Sequence, residues 1–430
     1  MVDSSAGGER GTVSPPVSAP KGFLGGTHRL RPPAETLAVI TPHLAALGIT
    51  RVADITGLDR VGLPVVAVYR PNARSVVVSQ GKGIDRIAAR VSGLMEAIES
   101  HHAEHVDLPL RLASFREIAQ RSAAAGIPVI DIWALPRLSV GGFHADKPIL
   151  WCEGRDLMGG APIFVPYEMV HTNYTRPLPA GSGNFLMSSN GLASGNHPLE
   201  ATCHGLGELI ERDALALWAL GGGIASPAGR LDPATVDDPD CRSLLDRIGA
   251  ADLSVGIWDI TTDIGIPVFV CSLVDNGPNA FGQCYSSHGS GCHPTRVVAL
   301  LRALTEAAQT RLTYIAGTRD DAHRELFETA RNPDRVAQVR RDIEAPAAPP
   351  ARRWDQVQDH PTDSFDADLA LLCRHLAAVG IRQAAAVTLP SLIPGISVVR
   401  AIVPGLEGLH DAPGYVPGRR AEARLREKAA

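Results

Sequence analysis

The chain has 430 residues, 45% of them hydrophobic and 20% charged, with a net charge of −5. That length suffices for two or three domains of about 150 residues, and the mild acidity excludes a general nucleic-acid binder. Aromatics at 5% argue against a stacking platform for single strands, and no apolar run approaches the roughly 18 residues of a membrane span.

The first residues, Met1 to Pro20, are rich in Ser, Gly and Pro and read as a disordered lead-in without the apolar core of a secretion signal. Thr36 to Leu47 carries Leu37, Ile40, Leu44 and Leu47 at helical spacing. Val52–Ile55 and Val65–Tyr69 read as strands. A short strand, Ser75–Val78, runs into a Gly-rich turn, Ser79-Gln80-Gly81-Lys82-Gly83, and then a helix from Ala88 to His102. That geometry can bring helix N–H groups to a phosphate, or can be an ordinary helix entry; no GxxxxGK[ST] is present. Phe115–Ala125 reads as a helix and Ile149–Asp156 as a strand. The segment Gly181 to Asn196 reads as a polar, glycine-rich loop leading into a helix over Pro198–Trp218. Leu253–Asp259 and Pro267–Asp275 read as strands that can pair. Tyr285–Pro294 is again Gly/Ser-rich and leads into a helix over Pro294–Ile315. Asn332–Asp363 reads as an irregular excursion, Asp366–Val379 as a helix, and Ala384–Leu389 and Val398–Val403 as strands. The tail begins with Gly/Pro turns and ends in a charged helix or coil.

The three helices that follow Gly/Ser-rich segments carry most of the chemistry. The first holds Glu96 and Glu99, the second Glu200, Glu208, Glu211 and Arg212, the third Arg302, Glu306, Gln309 and Arg311. At about 100° per residue, positions three apart share a face. Leu94, Met95, Ile98, Leu206, Leu209 and Ile210 crowd the same helices, so these are not plain solvent faces. Carboxylates converging there would repel one another, and a hard cation such as Mg²⁺, often with a nucleotide, would relieve them. Solvated or salt-bridged surface positions are the competing reading. Arg212, Arg302 and Arg311 suit phosphate oxygens or pairing with those carboxylates, and Lys82 suits a phosphate contact or a solvated loop. The ExxH spacing of Glu99 to His102 lacks the helical-bundle context of a di-iron site, so His102 and His204 read as ordinary helix residues. The seven cysteines are odd in number with no CxxC pair, which fits a reducing, cytoplasmic setting rather than a disulfide or zinc framework.

Three blocks resemble those of the YcaO family. They are Ser79–Gly83 with Glu96-Ala97-Ile98-Glu99, Gly195–Ala201 with Gly207–Ala214, and Leu301–Arg311. The resemblance spans Gly57 to Ile315, in order. It implies an α/β (α+β) chain, a YcaO-like fold of mixed β-sheets with helices around a central acidic nucleotide and Mg²⁺ site. The expected layout is the lead-in 1–20, a catalytic domain over 21–404 with its motif core at 57–315, and a tail over 405–430. By resemblance, ATP and Mg²⁺ serve to activate a peptide backbone amide. Glu96, Glu99, Glu200, Glu208 and Glu211 look like the Mg²⁺-holding positions. Thr27, Arg29, Ser79, Lys82, Glu96, Asn196, Glu200, Arg212 and Arg302 look like the nucleotide-binding set, with Arg212 and Arg302 as catalytic cations.

Azoline-forming members end in a PxPxP tail, whereas this sequence ends Arg426-Glu427-Lys428-Ala429-Ala430. Gly26-Thr27-His28-Arg29 and Pro404-Gly405-Leu406-Glu407-Gly408 look like members that work with a TfuA partner. The expectation is a cytoplasmic homodimer that forms a backbone thioamide in a precursor peptide or protein, with a TfuA-like partner and sulfide or a sulfur carrier. A cyclodehydratase acting on Cys, Ser or Thr and a non-catalytic scaffold are the alternatives.

Overall fold

The computed structural model describes residues 18–279, 282–347, 351–408 and 411–429; most of the lead-in, 1–17, lies outside them. In chain order, α1 (Pro33–Ile40) precedes the strands β1 (Arg51–Asp54), β2 (Val65–Tyr69) and β3 (Val78–Lys82), then α2 (Arg86–Glu104). Next come β4 (Arg111–Ala113), α3 (Phe115–Ala125), β5 (Ile149–Asp156), β6 (Pro162–Pro166), β7 (Leu192–Gly195) and α4 (Pro198–Leu220). Then follow β8 (Arg230–Leu231), α5 (Pro239–Ala250), β9 (Leu253–Asp259), β10 (Val268–Asp275), β11 (Ser286–Cys292) and α6 (Arg296–Ala316). The chain closes with α7 (Arg324–Ala330), α8 (Pro333–Glu344), α9 (Phe365–Ala378), β12 (Ala385–Leu389), β13 (Ser397–Ile402) and α10 (Arg419–Ala429).

The strands form three sheets, ordered β1-β2-β3, β11-β10-β9-β8 and β4-β5-β12-β13-β7, with β6 beside β5. Every ladder between these strands is antiparallel, and the whole is an α+β fold. One strand-to-helix unit belongs to each sheet. α2 packs on β3, α4 on β7 and β13, and α6 on β11. Each helix also reaches the strand of the next unit: α2 touches β7, α4 touches β11 and α6 touches β3. The three units therefore close into a ring, and the faces carrying the glutamates meet at its centre.

The three Gly/Ser-rich segments differ from expectation. They are strands, or contain one. The first strand runs through Ser79–Lys82 instead of stopping at Val78, and β7 and β11 lie where loops were expected. Gly and Ser have poor strand propensity, so composition favoured loops; the glycines are there for close packing instead. A Cβ on Gly81 would lie 2.0 Å from Gly93 N, and one on Gly291 would lie 2.3 Å from Ala299 O. The helix behind each strand is too close for any side chain.

Two further expectations are corrected. Ser18–Pro20, assigned to the lead-in, is docked: Ala19 is buried, Ser18 Oγ donates to Asp366 Oδ1 at 2.8 Å, and Pro20 bridges Ser364. Within Asn332–Asp363, α8 is a regular amphipathic helix that buries Val336, Val339 and Ile343. Among the described residues, no helix is long and apolar enough to cross a membrane.

Candidate active site

Glu96, Glu208 and Glu306 occupy the first position of a spacing repeated once per unit, and Glu99, Glu211 and Gln309 the second. The structure gives each position a fixed partner. The first-position carboxylates take an N–H from their own unit: Glu96 from Gln80, Glu208 from Gly191 at 3.1 Å and Glu306 from Ser290 at 3.4 Å. The second-position side chains are held by the next unit. Ser194 donates its N–H and its hydroxyl to Glu99, each at 2.7 Å. Ser290 donates its hydroxyl to Glu211 at 2.7 Å. Gln309 Nε2 donates to Gln80 O at 3.0 Å. Lys82 closes the ring by pairing with Glu306 at 2.8 Å.

The electrostatics follow from that convergence. Burial pushes Glu99 up to about 8, with the charges of Glu96 and Glu208 adding to it against the two Ser194 bonds. Burial raises Glu96 as well, opposed by Arg319 and Lys82, and it raises Glu208 despite Arg212. Burial would also raise Glu306, but Lys82, Arg212 and Arg302 outweigh it and hold it at about 2. Arg212 lies 3.8 Å from Glu208 and 3.7 Å from Glu211, and these carboxylates lift its pKa against burial. Burial, more than mutual repulsion, thus makes the charged forms of Glu96, Glu99 and Glu208 costly. A hard divalent cation is the group that oxygen donors in this state accommodate.

Among the described residues, no three His, Cys, Asp or Glu side chains converge as a ready metal clasp. The donor set still fits Mg²⁺, which keeps waters and phosphate oxygens and takes few protein ligands.

A second pocket adjoins the carboxylates and is lined by Thr27, Arg29, Glu200, His204, His293 and Arg302, among others. Glu200 accepts from Leu30 N at 2.9 Å and faces Arg29 at 3.8 Å. Arg302 meets His204 Nδ1 at 3.1 Å and leaves its own Nε without a partner. His28 packs edge-on against His293, with ring centres 4.7 Å apart. Burial, reinforced by Lys21 and Arg29, drives His28 down to about 4. Burial and the nearby cations likewise depress His204 and His293. Three neutral rings therefore stand beside two guanidinium groups, an arrangement open to an anion.

The structure thus sorts the expected residues. Glu96, Glu99, Glu208, Glu211, Lys82 and Arg212 gather at the ring centre, and Thr27, Arg29, Glu200 and Arg302 line the second pocket. The two groups are coupled, since Arg29 acts on Glu99 and Arg302 on Glu306. Ser79 is buried in β3, and Asn196 directly follows β7 and accepts from Thr36 Oγ1 at 3.0 Å. Arg311 stands apart, buried between Asp59 and Asp275 at 3.0 and 2.8 Å, so its pairing is structural. Reasoning from the sequence placed Glu306 on the third of these helices but gave it no metal or nucleotide role, and it read His204 as an ordinary helix residue although it lines the second pocket. His102, by contrast, is structural: it bonds Ile98 O and accepts from Leu392 N.

Three strand-to-helix units closed around shared carboxylates, with arginines on their flank, define a class of α+β proteins with an acidic centre. The chain belongs to the YcaO family: residues 80–407 match the family described as YcaO cyclodehydratase, ATP- and Mg²⁺-binding. An uncharacterized protein in the tfuA 3′ region of Rhizobium leguminosarum bv. trifolii is 39% identical over 378 residues, 87% of each chain. An uncharacterized protein of Methanothermobacter thermautotrophicus is 33% identical over 395 residues, 91% of this chain and 98% of that one. The fold resembles that of YcaO from Methanopyrus kandleri bound with AMPPCP and Mg²⁺, with a TM-score of 0.69 at 22% identity, covering 93% and 98% of the two chains. It also resembles a heterocyclase in complex with substrate and cofactor, with a TM-score of 0.75 at 19% identity; the match covers 97% of this chain and 57% of that longer one.

Proposed function

We propose that this protein forms a backbone thioamide in a peptide or protein, using ATP, Mg²⁺ and a sulfur nucleophile, as a cytoplasmic homodimer working with a TfuA-like partner. The observation that carries the reading is the ring of Glu96, Glu99, Glu208 and Glu211 beside Arg212 and Arg302. The description of the Rhizobium relative as lying in a tfuA 3′ region supports the branch. In the net reaction, hydrosulfide adds to the amide carbon, the amide oxygen takes the γ-phosphoryl group of ATP, and phosphate leaves with that oxygen as C=S forms. The carboxylates, with Glu200 at the second pocket, would hold Mg²⁺ against the phosphates. Thr27, Arg29, Ser79, Lys82, Asn196 and Arg302 would position the nucleotide. Arg212 and Arg302 would stabilise charge on the transferring group, and fixed geometry would compensate for the weak nucleophilicity of an amide oxygen.

The test combines nucleotide turnover with product mass. Glu208→Ala is expected to abolish Mg²⁺-dependent ATP turnover while the fold persists; normal turnover would remove the metal assignment. A product that exchanges oxygen for sulfur supports thioamidation. The family description as cyclodehydratase favours a second reading, azoline formation, which predicts a product lighter by one water.

A further inference from the structure

A third concavity lies on the opposite flank of Glu208. Leu135, Met169, Leu186, Leu209 and Leu406 give it apolar walls, and Arg400 of β13 lines it together with Glu407, whose carboxylate is taken up by Tyr415 Oη, Gly418 N and Ala421 N. The enclosed volume is about 30 Å³, and the concavity opens to solvent. Arg400 is 1% exposed. Its Nε donates to Met169 O at 2.7 Å and its Nη2 to Ser188 O, both bonds to neutral carbonyls. Its Nη1 has no partner, and no carboxylate lies within ion-pairing distance among the described residues.

A buried cation without a counter-ion is costly. Burial draws Arg400 down to about 10, against the opposing fields of Tyr174 and Glu208. Glu208 acts on Arg400 only through its field, since its carboxylate accepts from Gly191 N and makes no ion pair with Arg400. Glu407 is committed to its own N–H and hydroxyl donors, so Arg400 is left without a paired anion, and only a small one can pass between the apolar walls. The cavity's place in the fold suits a reactant. Leu209 lines it beside Glu208, and Asn190 lines it beside Gly191, whose N–H bonds Glu208.

We infer that the Arg400 cavity is a second anion subsite, separate from the nucleotide pocket, that takes the sulfur nucleophile as a monoanion. The inference rests on the thioamide reading. The monoanion can come from two sources, free hydrosulfide or the thiocarboxylate end of a carrier. A guanidinium N–H aimed at sulfur inside an apolar wall would keep the nucleophile charged and shield it from water.

The test is anaerobic calorimetric titration of the full chain, at mildly alkaline pH, with sodium hydrosulfide and separately with a short peptide ending in a glycine thiocarboxylate. Saturable binding of hydrosulfide, weakened at least about tenfold in Arg400→Gln, supports the subsite and a free source. Arg400-dependent binding of the thiocarboxylate alone supports the subsite and a carrier. MgATP binding measured in the same variant reports whether the fold is intact. Should Arg400→Gln fail to fold, Arg400→Lys keeps a cation there but loses the fork of donors, and the same tenfold loss is expected. Equal binding by wild type and a folded variant, or no binding of either sulfur anion by wild type, overturns the subsite. Failure of the thioamide reading looks different: the product is lighter by one water, whatever the titration gives.

Discussion

Ser194 donates both its backbone N–H and its hydroxyl to one oxygen of Glu99, each at 2.7 Å, and so ties the first unit of the ring to the second. Ser290 repeats the contact one unit on, through its hydroxyl to Glu211. Neither serine needs to touch a ligand to matter; each sets where a carboxylate stands. Removing one hydroxyl loses a bond of about 0.5–1.5 kcal/mol to a neutral carboxyl, or about 1.5–3 kcal/mol to a charged one, and frees the carboxyl group to swing. Ser194→Ala and Ser290→Ala are each expected to weaken MgATP binding by roughly tenfold in calorimetry, with small effects on the melting temperature. Unchanged affinity in both would mean that Glu99 and Glu211 do not depend on these clasps.

Glu99 also gives a stability prediction of definite sign. Its carboxyl sits near 8 in the fold, against 4.5 in the ordinary state. A raised acid binds more protons folded than unfolded between those values, so its contribution to stability falls as pH rises from 4.5 through 8. Glu99→Gln keeps the shape and removes the charge. The ligand-free variant is expected to melt a few degrees higher than wild type at neutral pH, by a margin that grows with pH across that window. The extra stability that Mg²⁺ and ATP confer on wild type should shrink in the variant. A lower melting temperature at every pH would show that Glu99 contributes more as a structural acceptor than it costs as a buried charge.

Much of this site was legible because a spacing of three on a helix is local. Glu96 with Glu99 and Glu208 with Glu211 could be placed on common faces without any fold. The closure of the ring was not legible, since Ser194 stands 95 residues from Glu99 and Ser290 stands 79 from Glu211. Nothing in either segment announces its partner. The strands around Ser79, Ser194 and Ser290 were hidden for a related reason. Their glycines meet a tertiary demand, the close approach of a helix, and local propensity reads them as turns. Glu306 could be named on its helix but not given a role, because its pairing with Lys82 spans 224 residues.

His171 carries an acid-stability prediction away from the carboxylate ring. It is fully buried, stacks on Tyr167 with ring centres 4.6 Å apart and accepts from Asn173 N at 3.2 Å. Burial, helped by the charge of Arg400, pushes it from 6.5 down to about 4. Below 6.5 the unfolded chain takes a proton that the folded chain refuses, so stability falls as pH drops from 6.5 toward 4. That displacement caps the effect at about 3 kcal/mol. His171→Phe keeps the stack and cannot titrate. Its stability in denaturant titrations should fall less steeply than that of wild type over this pH range. Parallel slopes would show that His171 takes its proton without unfolding.

Gly81 tests whether the close approach of β3 to α2 positions the glutamates. A Cβ there would lie 2.0 Å from Gly93 N and 2.2 Å from Ala89 O. Both contacts are to the helix backbone, which cannot rotate aside as a side chain can. Gly81→Ala must therefore push α2 away from the strand, and α2 carries Glu96 and Glu99. Overpacking of this kind costs about 1–3 kcal/mol or more, so a fall in melting temperature of several degrees is expected. The functional effect should exceed what that loss explains. At a temperature where the variant is still folded, MgATP binding should be reduced, because the displaced carboxylates no longer meet Ser194 and Glu208 in register. Gly48→Ala is the control. That glycine has a positive φ of 71°, and no atom lies within 4 Å of where its Cβ would stand. The control should therefore lose stability through backbone strain alone and bind MgATP normally. Equal MgATP affinity in both folded variants would separate strand-to-helix packing from the geometry of the site.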